Sequence, residues 1–165
     1  INELITEVVS SMDALLEKDN TQVKVQLSDS ELSILGNKNA LTGAIQNLLH
    51  NALQAMTVNK VEAPLINIQV YSQASNLYLS VKDNGPGIDA KITDKIFQPF
   101  YTSSSKGTGL GLAVVKSVVN AHQGEVSLLS QKDSGAHFVI KLPLIASAER
   151  HGSATHINSN TRGER

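Results

Sequence analysis

The chain has 165 residues, a formal net charge of −1, 41% hydrophobic residues and no cysteine. That length suits one domain with a real core, and the charge balance offers no basic field for nucleic acid or an acidic membrane surface. Without cysteine there are no disulfides, thiolate metal sites or Cys nucleophiles, which fits a reducing compartment.

No apolar run approaches the roughly 20 residues of a membrane span, and no signal peptide is visible. The chain begins at Ile1 rather than Met, so a piece of a longer protein is expected. Over residues 1–17, Leu4, Ile5, Val8, Val9, Met12, Leu15 and Leu16 recur at helical spacing and predict one amphipathic helix, or the end of a connection from a preceding domain. KDNT at 18–21 reads as a turn. Val23, Val25 and Leu27 alternate as a strand does, and 32–35 is a second strand candidate stopped by Gly36.

Residues 37–56 predict a strong helix with Leu41, Ala44, Ile45, Leu48, Leu49, Ala52, Leu53 and Met56 as its buried stripe. Asn47 and Asn51 project together at the rim of that stripe, about 40° apart around the axis. Asparagine is a mediocre helix former, and two beside a buried face call for a polar partner, solvent being the plain one.

After a polar loop at 59–64, Ile66, Ile68, Val70 and then Leu77, Leu79, Val81 alternate in two runs. The short link QASN at 73–76 makes them a hairpin. The second run ends in KDNGPGID at 82–89, where a carboxylate at a strand end meets two glycines around a proline. It reads as an Asp-Asn-Gly turn or the edge of a site.

Residues 92–97 are a short-helix candidate, and QPFYTSSSK at 98–106 is a polar loop. In KGTGLGLAVV (106–115) glycines alternate at 107, 109 and 111 and an apolar run follows. That is a flexible loop feeding a helix start, where unpaired N–H groups and a positive dipole end attract phosphate. The spacing is neither G-x-G-x-x-G nor a Walker A pattern. Residues 110–121 are apolar almost all round and predict a buried helix, stopped at His122-Gln123-Gly124. Val126, Leu128 and Phe138, Ile140, Leu142 give a last hairpin, with DSG (133–135) in its turn. Residues 146–165, rich in Ser, Thr, Asn and Gly, read as a disordered tail after a domain over 1–145.

Four segments stand in order: NLLHNALQAM (47–56), DNGPGI (83–88), FQPFYTSSSK (97–106) and GTGLGL (107–112). Together they resemble the N, G1, F and G2 boxes of the ATP-binding catalytic domain of sensor histidine kinases, and GAHFVIKLPL is similar to the closing strand of that family. The compact NALQAM and PFYTSSSKGTGLGL forms are most similar to the nitrogen- and flagellar-regulatory branch.

The resemblance implies an α+β Bergerat fold, a two-layer α/β sandwich with a mixed sheet and helices on one face. It also implies roles. Asn51 would hold Mg²⁺ through its side-chain oxygen, with Asn47 supporting the same region. Asp83 would accept from the adenine amino group, and Gly85 and Gly87 would let the chain pass close to the base. Phe97 and Phe100 would hinge or anchor a lid. Gly107, Gly109 and Gly111 would cradle the phosphates of ATP, with Lys106 in reach, and Ile88, Thr108, Leu110 and Leu112 complete the ATP-binding set. The physical chemistry agrees: a carboxylate only accepts, so it suits the adenine amino donor, and Mg²⁺ wants hard oxygen ligands.

Related ATPases of this fold carry a Glu four residues before the Mg²⁺ Asn. Here that position is Asn47, which cannot act as a base, so fast hydrolysis is not expected and transfer to a histidine is. None of the five histidines matches the family's acceptor context. His50 reads as an exposed residue near the site, His122 as a helix-end residue and His137 as facing outward, while His151 and His156 fall in the tail. The resemblance therefore implies an upstream dimerisation domain carrying the acceptor histidine. It implies as well a response-regulator receiver partner, of a sigma-54 activator in this branch.

A monomeric fragment of a homodimeric, cytoplasmic bacterial protein is expected, the parent soluble or membrane-anchored, with no nucleic-acid partner and no membrane contact by this piece. The other reading is a nucleotide-dependent interaction module with little chemistry. Two departures favour it: Ala136 where the family has Ser or Thr, and a short lid over 98–106.

Overall fold

The computed structural model describes residues 1–102, 107–129 and 134–145. The proposed tail, the middle of the lid with Lys106, and Asp133 of the last turn lie outside the described residues.

The predicted first helix is two helices, α1 (Asn2–Ser11) and α2 (Asp13–Lys18). The break has a local cause. The Ser11 hydroxyl donates back to the Val8 carbonyl at 2.7 Å, and the Met12 N–H bonds Val9 O, one residue short of the α-helical partner. Such back-bonding competes with the helical ladder. The apolar stripe survives the break, with Leu4, Ile5, Val8, Met12 and Leu16 all buried.

Strand β1 (Gln22–Gln26) pairs in parallel with β2 (Leu65–Gln73). Parallel neighbours need a crossover, and α3 (Lys38–Val58) supplies it. Asn37 caps α3, its side chain accepting from the Ala40 N–H at 3.0 Å, a bond that satisfies one orphan donor of the first turn. All eight residues of the predicted stripe are buried.

Residues 32–35 are not a strand. Leu32 is buried and Ile34 half-buried, while Leu35 is 85% exposed. The segment touches the core without forming a ladder, and single bonds to Leu32 O and Ser33 O from Ile1 and Ile145 serve it instead.

Strand β3 (Asn76–Asp83) returns antiparallel beside β2 through a two-residue turn at Ala74 and Ser75. The sheet is completed by β4 (Glu125–Leu128) and β5 (His137–Pro143), in the order β1-β2-β3-β5-β4. Ile66, Ile68, Val70, Leu77, Leu79, Val81, Phe138, Ile140 and Leu142 alternate onto one face and join the helices in a single core. The result is a two-layer α+β sandwich.

On the other face His137 points away from the helices, as alternation requires, yet it is half-buried. Its Nε2 lies 2.8 Å from the hydroxyl of buried Ser80. Burial, and then the Lys82 charge, hold its imidazole below the usual histidine range.

Residues 92–97 form successive turns after a single 3-10 turn at Ala90–Ile92, not an α-helix. Asp89 caps that 3-10 turn through the Lys91 N–H. Helix α4 (Gly111–Ala121) is less enclosed than its composition implies. Val115 and Val119 are buried, whereas Leu110 and Val114 are exposed. It rests on α3 by one side only, and hydrophobicity alone did not reveal which sides face solvent. No helix among the described residues is long and apolar enough to cross a membrane.

Gly135 has φ +76°, and a Cβ there would collide with the Asp83 carbonyl oxygen. Gly135→Ala is expected to lower stability by at least about 2 kcal/mol, from the left-handed φ and the collision together. Denaturant titration checks this, and a midpoint unchanged from the parent would contradict it.

Candidate functional site

The four motifs converge where α3, the end of β3 and the start of α4 meet. Asn47 and Asn51 are half-buried on α3. A methyl built on Gly111 would stand 3.7 Å from both amide heteroatoms of Asn51 and 3.8 Å from the amide carbon of Asn47. The first turn of α4 therefore faces both asparagines. Its N-cap is Leu110, which makes no side-chain capping bond. Its N-cap side chain thus takes none of the opening N–H groups of α4, and a helix start of this kind can accept an anion. Among the described residues the Leu110 N–H has a long 3.4 Å contact to the Thr108 hydroxyl.

Asp83 closes another side. It is 4% exposed. Its Oδ1 accepts two backbone bonds, from Gly85 N–H at 2.8 Å and Ala136 N–H at 3.0 Å. The Asp83 N–H in turn donates to Ala136 O. Among the described residues none donates to Oδ2, so Oδ1 is the oxygen that orients the group. Burial pushes the carboxyl above the usual aspartate range, and the two backbone bonds pull it only part of the way back.

Asn84 does the bracing. Its side chain accepts from Leu65 N–H and donates to Ala63 O, both at 2.8 Å, so the turn is fastened to the start of β2. Gly85 packs against α3: a Cβ on it would lie 3.4 Å from the Met56 side chain and 3.0 Å from Asp83 Oδ1. Gly87 has φ +72°. Ile88 packs half-buried on the core.

The lid ends meet. Phe97 is held edge-on to Phe138, with ring centroids 6.2 Å apart, and Lys116 Nζ sits 5.7 Å above its ring. Phe100 is 76% exposed, so its ring anchors nothing. Its backbone is what is fixed, through Phe100 N–H to Gly109 O at 2.9 Å. Gly109 has φ +68°, and a Cβ would strike the Phe100 backbone. Gly107 and Leu112 are half-buried and Thr108 is exposed on the same approach to α4. His50 is exposed on α3.

Two contributors were missed in the sequence. One is the Ala136 backbone, whose N–H donates to Asp83 Oδ1 whatever side chain stands at 136. The other is Asn84, whose adjacency to Asp83 was the only available signal.

The residues fit a nucleotide with a divalent cation. The Asp83 carboxylate suits an amino group, and the start of α4 suits phosphate. The Asn51 amide oxygen is a hard donor. The described residues contain no group of three or more His, Asp or Glu side chains that could hold a metal unaided, so the cation would need phosphate oxygens as well. A separate groove of about 360 Å³ lies among α1, α2 and β1. It includes none of these residues.

The family model described as histidine kinase-, DNA gyrase B-, and HSP90-like ATPase matches residues 36–146. The chain is 36% identical over 149 residues to the signal transduction histidine-protein kinase AtoS of Escherichia coli, covering 87% of this chain and 23% of that protein. It therefore spans about a quarter of that curated relative. Among solved structures, the catalytic domain of histidine kinase ThkA superposes with a TM-score of 0.77 at 27% identity, over 87% of this chain and 91% of that one. ThkA in complex with the response regulator protein TrrA gives 0.74 at 25% identity, over 88% of this chain and 40% of that one. Full-length ShkA in complex with AMPPNP gives 0.76 at 25% identity, over 87% of this chain and 30% of that one.

The Asp83 environment makes a signed prediction. The folded carboxyl titrates above its unfolded value of about 4, so ionisation opposes folding. That cost is absent below about pH 4 and grows as pH rises through the raised value. Asp83→Asn removes the charge and keeps an Oδ1 for both N–H groups. The variant is expected to gain in melting temperature relative to the parent between pH 4 and pH 7. A variant clearly less stable than the parent at pH 7 would contradict this.

Proposed function

The chain belongs to the histidine kinase-, DNA gyrase B-, and HSP90-like ATPase family, as an ATP-binding catalytic domain of the sensor histidine kinase type with the Bergerat fold, and on that premise we propose that it binds Mg-ATP between α3 and α4 and passes the γ-phosphoryl group to a histidine on an upstream dimerisation domain. The observation that carries the reading is the convergence on one side of α3 of the Asp83–Gly85 turn, which packs at Ala55 and Met56, and the start of α4, which faces Asn47 and Asn51.

Asp83 Oδ2 would accept from the adenine amino group. An unpaired buried acceptor costs about 1–3 kcal/mol, which is a usable selection against a base that presents an oxygen there. Gly85, Gly87 and Ile88 would line the base. The Gly107–Gly109–Gly111 run, with Thr108, Leu110, Leu112 and Lys106, would hold the phosphates. Asn51 would hold Mg²⁺, whose chemistry when bound is to neutralise phosphate charge. Asn47 supports the asparagine cluster and supplies no base, so hydrolysis by this chain stays slow. Phosphoryl transfer asks for positioning and charge stabilisation, and a neutral imidazole is itself a nucleophile.

The domain runs over residues 1–145 in this reading. The phosphoryl group then moves to an aspartate of a response-regulator receiver domain, and the short boxes favour a regulator of sigma-54 promoters. The work is cytoplasmic, by a homodimeric parent.

Two experiments test this. Calorimetric titration with ATP, ADP and GTP, with and without Mg²⁺, should give adenine-selective binding. Supplied with the dimerisation domain and radiolabelled ATP, the chain should label a histidine, and Asn51→Ala should cut Mg²⁺-dependent labelling by about 10²-fold with the fold intact. Tight ATP binding with no acceptor ever labelled would favour an interaction module instead.

A further inference from the structure

His122 is half-buried at the end of α4, remote from every motif above, and both its ring nitrogens are engaged. Nδ1 lies 2.7 Å from the Val118 carbonyl, and Nε2 lies 2.9 Å from the backbone N–H of Asn37. The partners fix the tautomer: a carbonyl can only accept and a backbone N–H can only donate. Nδ1 therefore carries the proton and Nε2 is bare. Asn37 is the N-cap of α3, so one imidazole joins the last turn of α4 to the first turn of α3. Gly36 permits this approach, because a Cβ there would run into the His122 ring.

The two helices are antiparallel, and contacts mark both ends. At one end Gly111 faces Asn47 and Asn51; at the other His122 holds Asn37. The tie stands about 20 Å along α3 from Asn51 and about 16 Å along α4 from Gly111, at 1.5 Å per residue. Between the ends, α4 buries Val115 and Val119 in the shared core. Apolar contact holds the helices together but is non-directional. A hydrogen bond to a ring clamped by its own helix fixes how far α4 sits along α3.

Resting on the nucleotide reading above, we infer that His122 is a positioning residue that sets the axial register of α4 on α3, and so the distance between the phosphate-facing start of α4 and the Asn47–Asn51 pair. Adenine is held elsewhere, by Asp83 at the end of β3. The tie therefore acts on the phosphate half of the ligand and leaves the base half alone.

That split is the test. Four forms of this chain (unsubstituted, His122→Ala, His122→Gln and Asp83→Asn) are titrated calorimetrically with Mg-ATP and separately with adenosine. His122→Ala should weaken Mg-ATP by about fivefold, the equivalent of one hydrogen bond, and leave adenosine within about twofold. In His122→Gln the amide oxygen can still accept from Asn37, and most of the Mg-ATP affinity should return. Asp83→Asn should weaken both ligands. Equal loss of both ligands in His122→Ala, no loss of either, or a Gln variant no better than Ala would overturn the inference while leaving the nucleotide site standing. An unsubstituted chain that binds neither ligand would overturn the nucleotide reading and this one with it. Nitrogen NMR of the unsubstituted chain gives an independent readout whatever the variants do. The expected signature is a protonated Nδ1 and a bare Nε2 on His122, and a protonated Nε2 would refute the tie.

Discussion

The apolar stripe of α3 is the constraint on which the rest of the structure depends. Eight buried residues along one side of a 21-residue helix press it onto the inner face of the sheet. The same helix is the crossover that lets β1 and β2 run parallel. Once that stripe is buried, the rim of α3 cannot rotate, and Asn47 and Asn51 are delivered to one edge of the sandwich. Burial of a leucine-sized side chain contributes about 1.5–3 kcal/mol, so turning the helix by even one residue would expose several such groups. The polar site is placed by the apolar core.

Against that fixed edge, the strand end holds a carboxylate that burial alone would make unfavourable. Two backbone N–H groups, from Gly85 and Ala136, satisfy one oxygen, and no described residue donates to the other. The support comes from main chain on two sides: the turn after β3 and the approach to β5. Gly135 is the residue that makes this possible, since any side chain there would block the close pass of its backbone over the Asp83 carbonyl. Burial still raises the carboxyl above the usual aspartate range, since the two backbone bonds offset only part of the lost solvation.

The third wall, α4, is held differently. It shows only Val115 and Val119 fully to the core and leaves Leu110 and Val114 in solvent. A helix so lightly buried needs fixed ends. The chain just before its start is joined to Phe100 by the Phe100–Gly109 backbone bond, and its end is joined to the α3 cap through His122. The site is thus a rigid helix and strand end facing a lightly packed helix with directional restraints at its tips.

Much of this was legible in the sequence. The period of α3 gave its buried stripe residue by residue, and alternation gave the inner faces of β2, β3 and β5, because side-chain direction follows from backbone period alone. The order of the four motifs gave the family, and with it the fold. Hydrogen-bond competition and partner choice were not legible. Nothing in the apolar spacing of residues 1–17 marks Ser11 as the place where a hydroxyl interrupts the ladder. Residues 32–35 look like a strand but find no neighbour to pair with. The apolar composition of α4 does not say which sides the chain leaves uncovered.

At the site, sequence determined which chemical groups exist: an acceptor at 83, amides at 47 and 51, glycines at 109 and 111. Only the tertiary structure decided that the Ala136 main chain would bond Asp83, that the Phe100 backbone and not its ring would meet Gly109, and that His122 would reach across to Asn37. Each of those contacts is made through main-chain atoms, and two of the three join residues far apart in the chain. A main-chain N–H or carbonyl is the same at almost every position, so the sequence carries no mark of where it will be used.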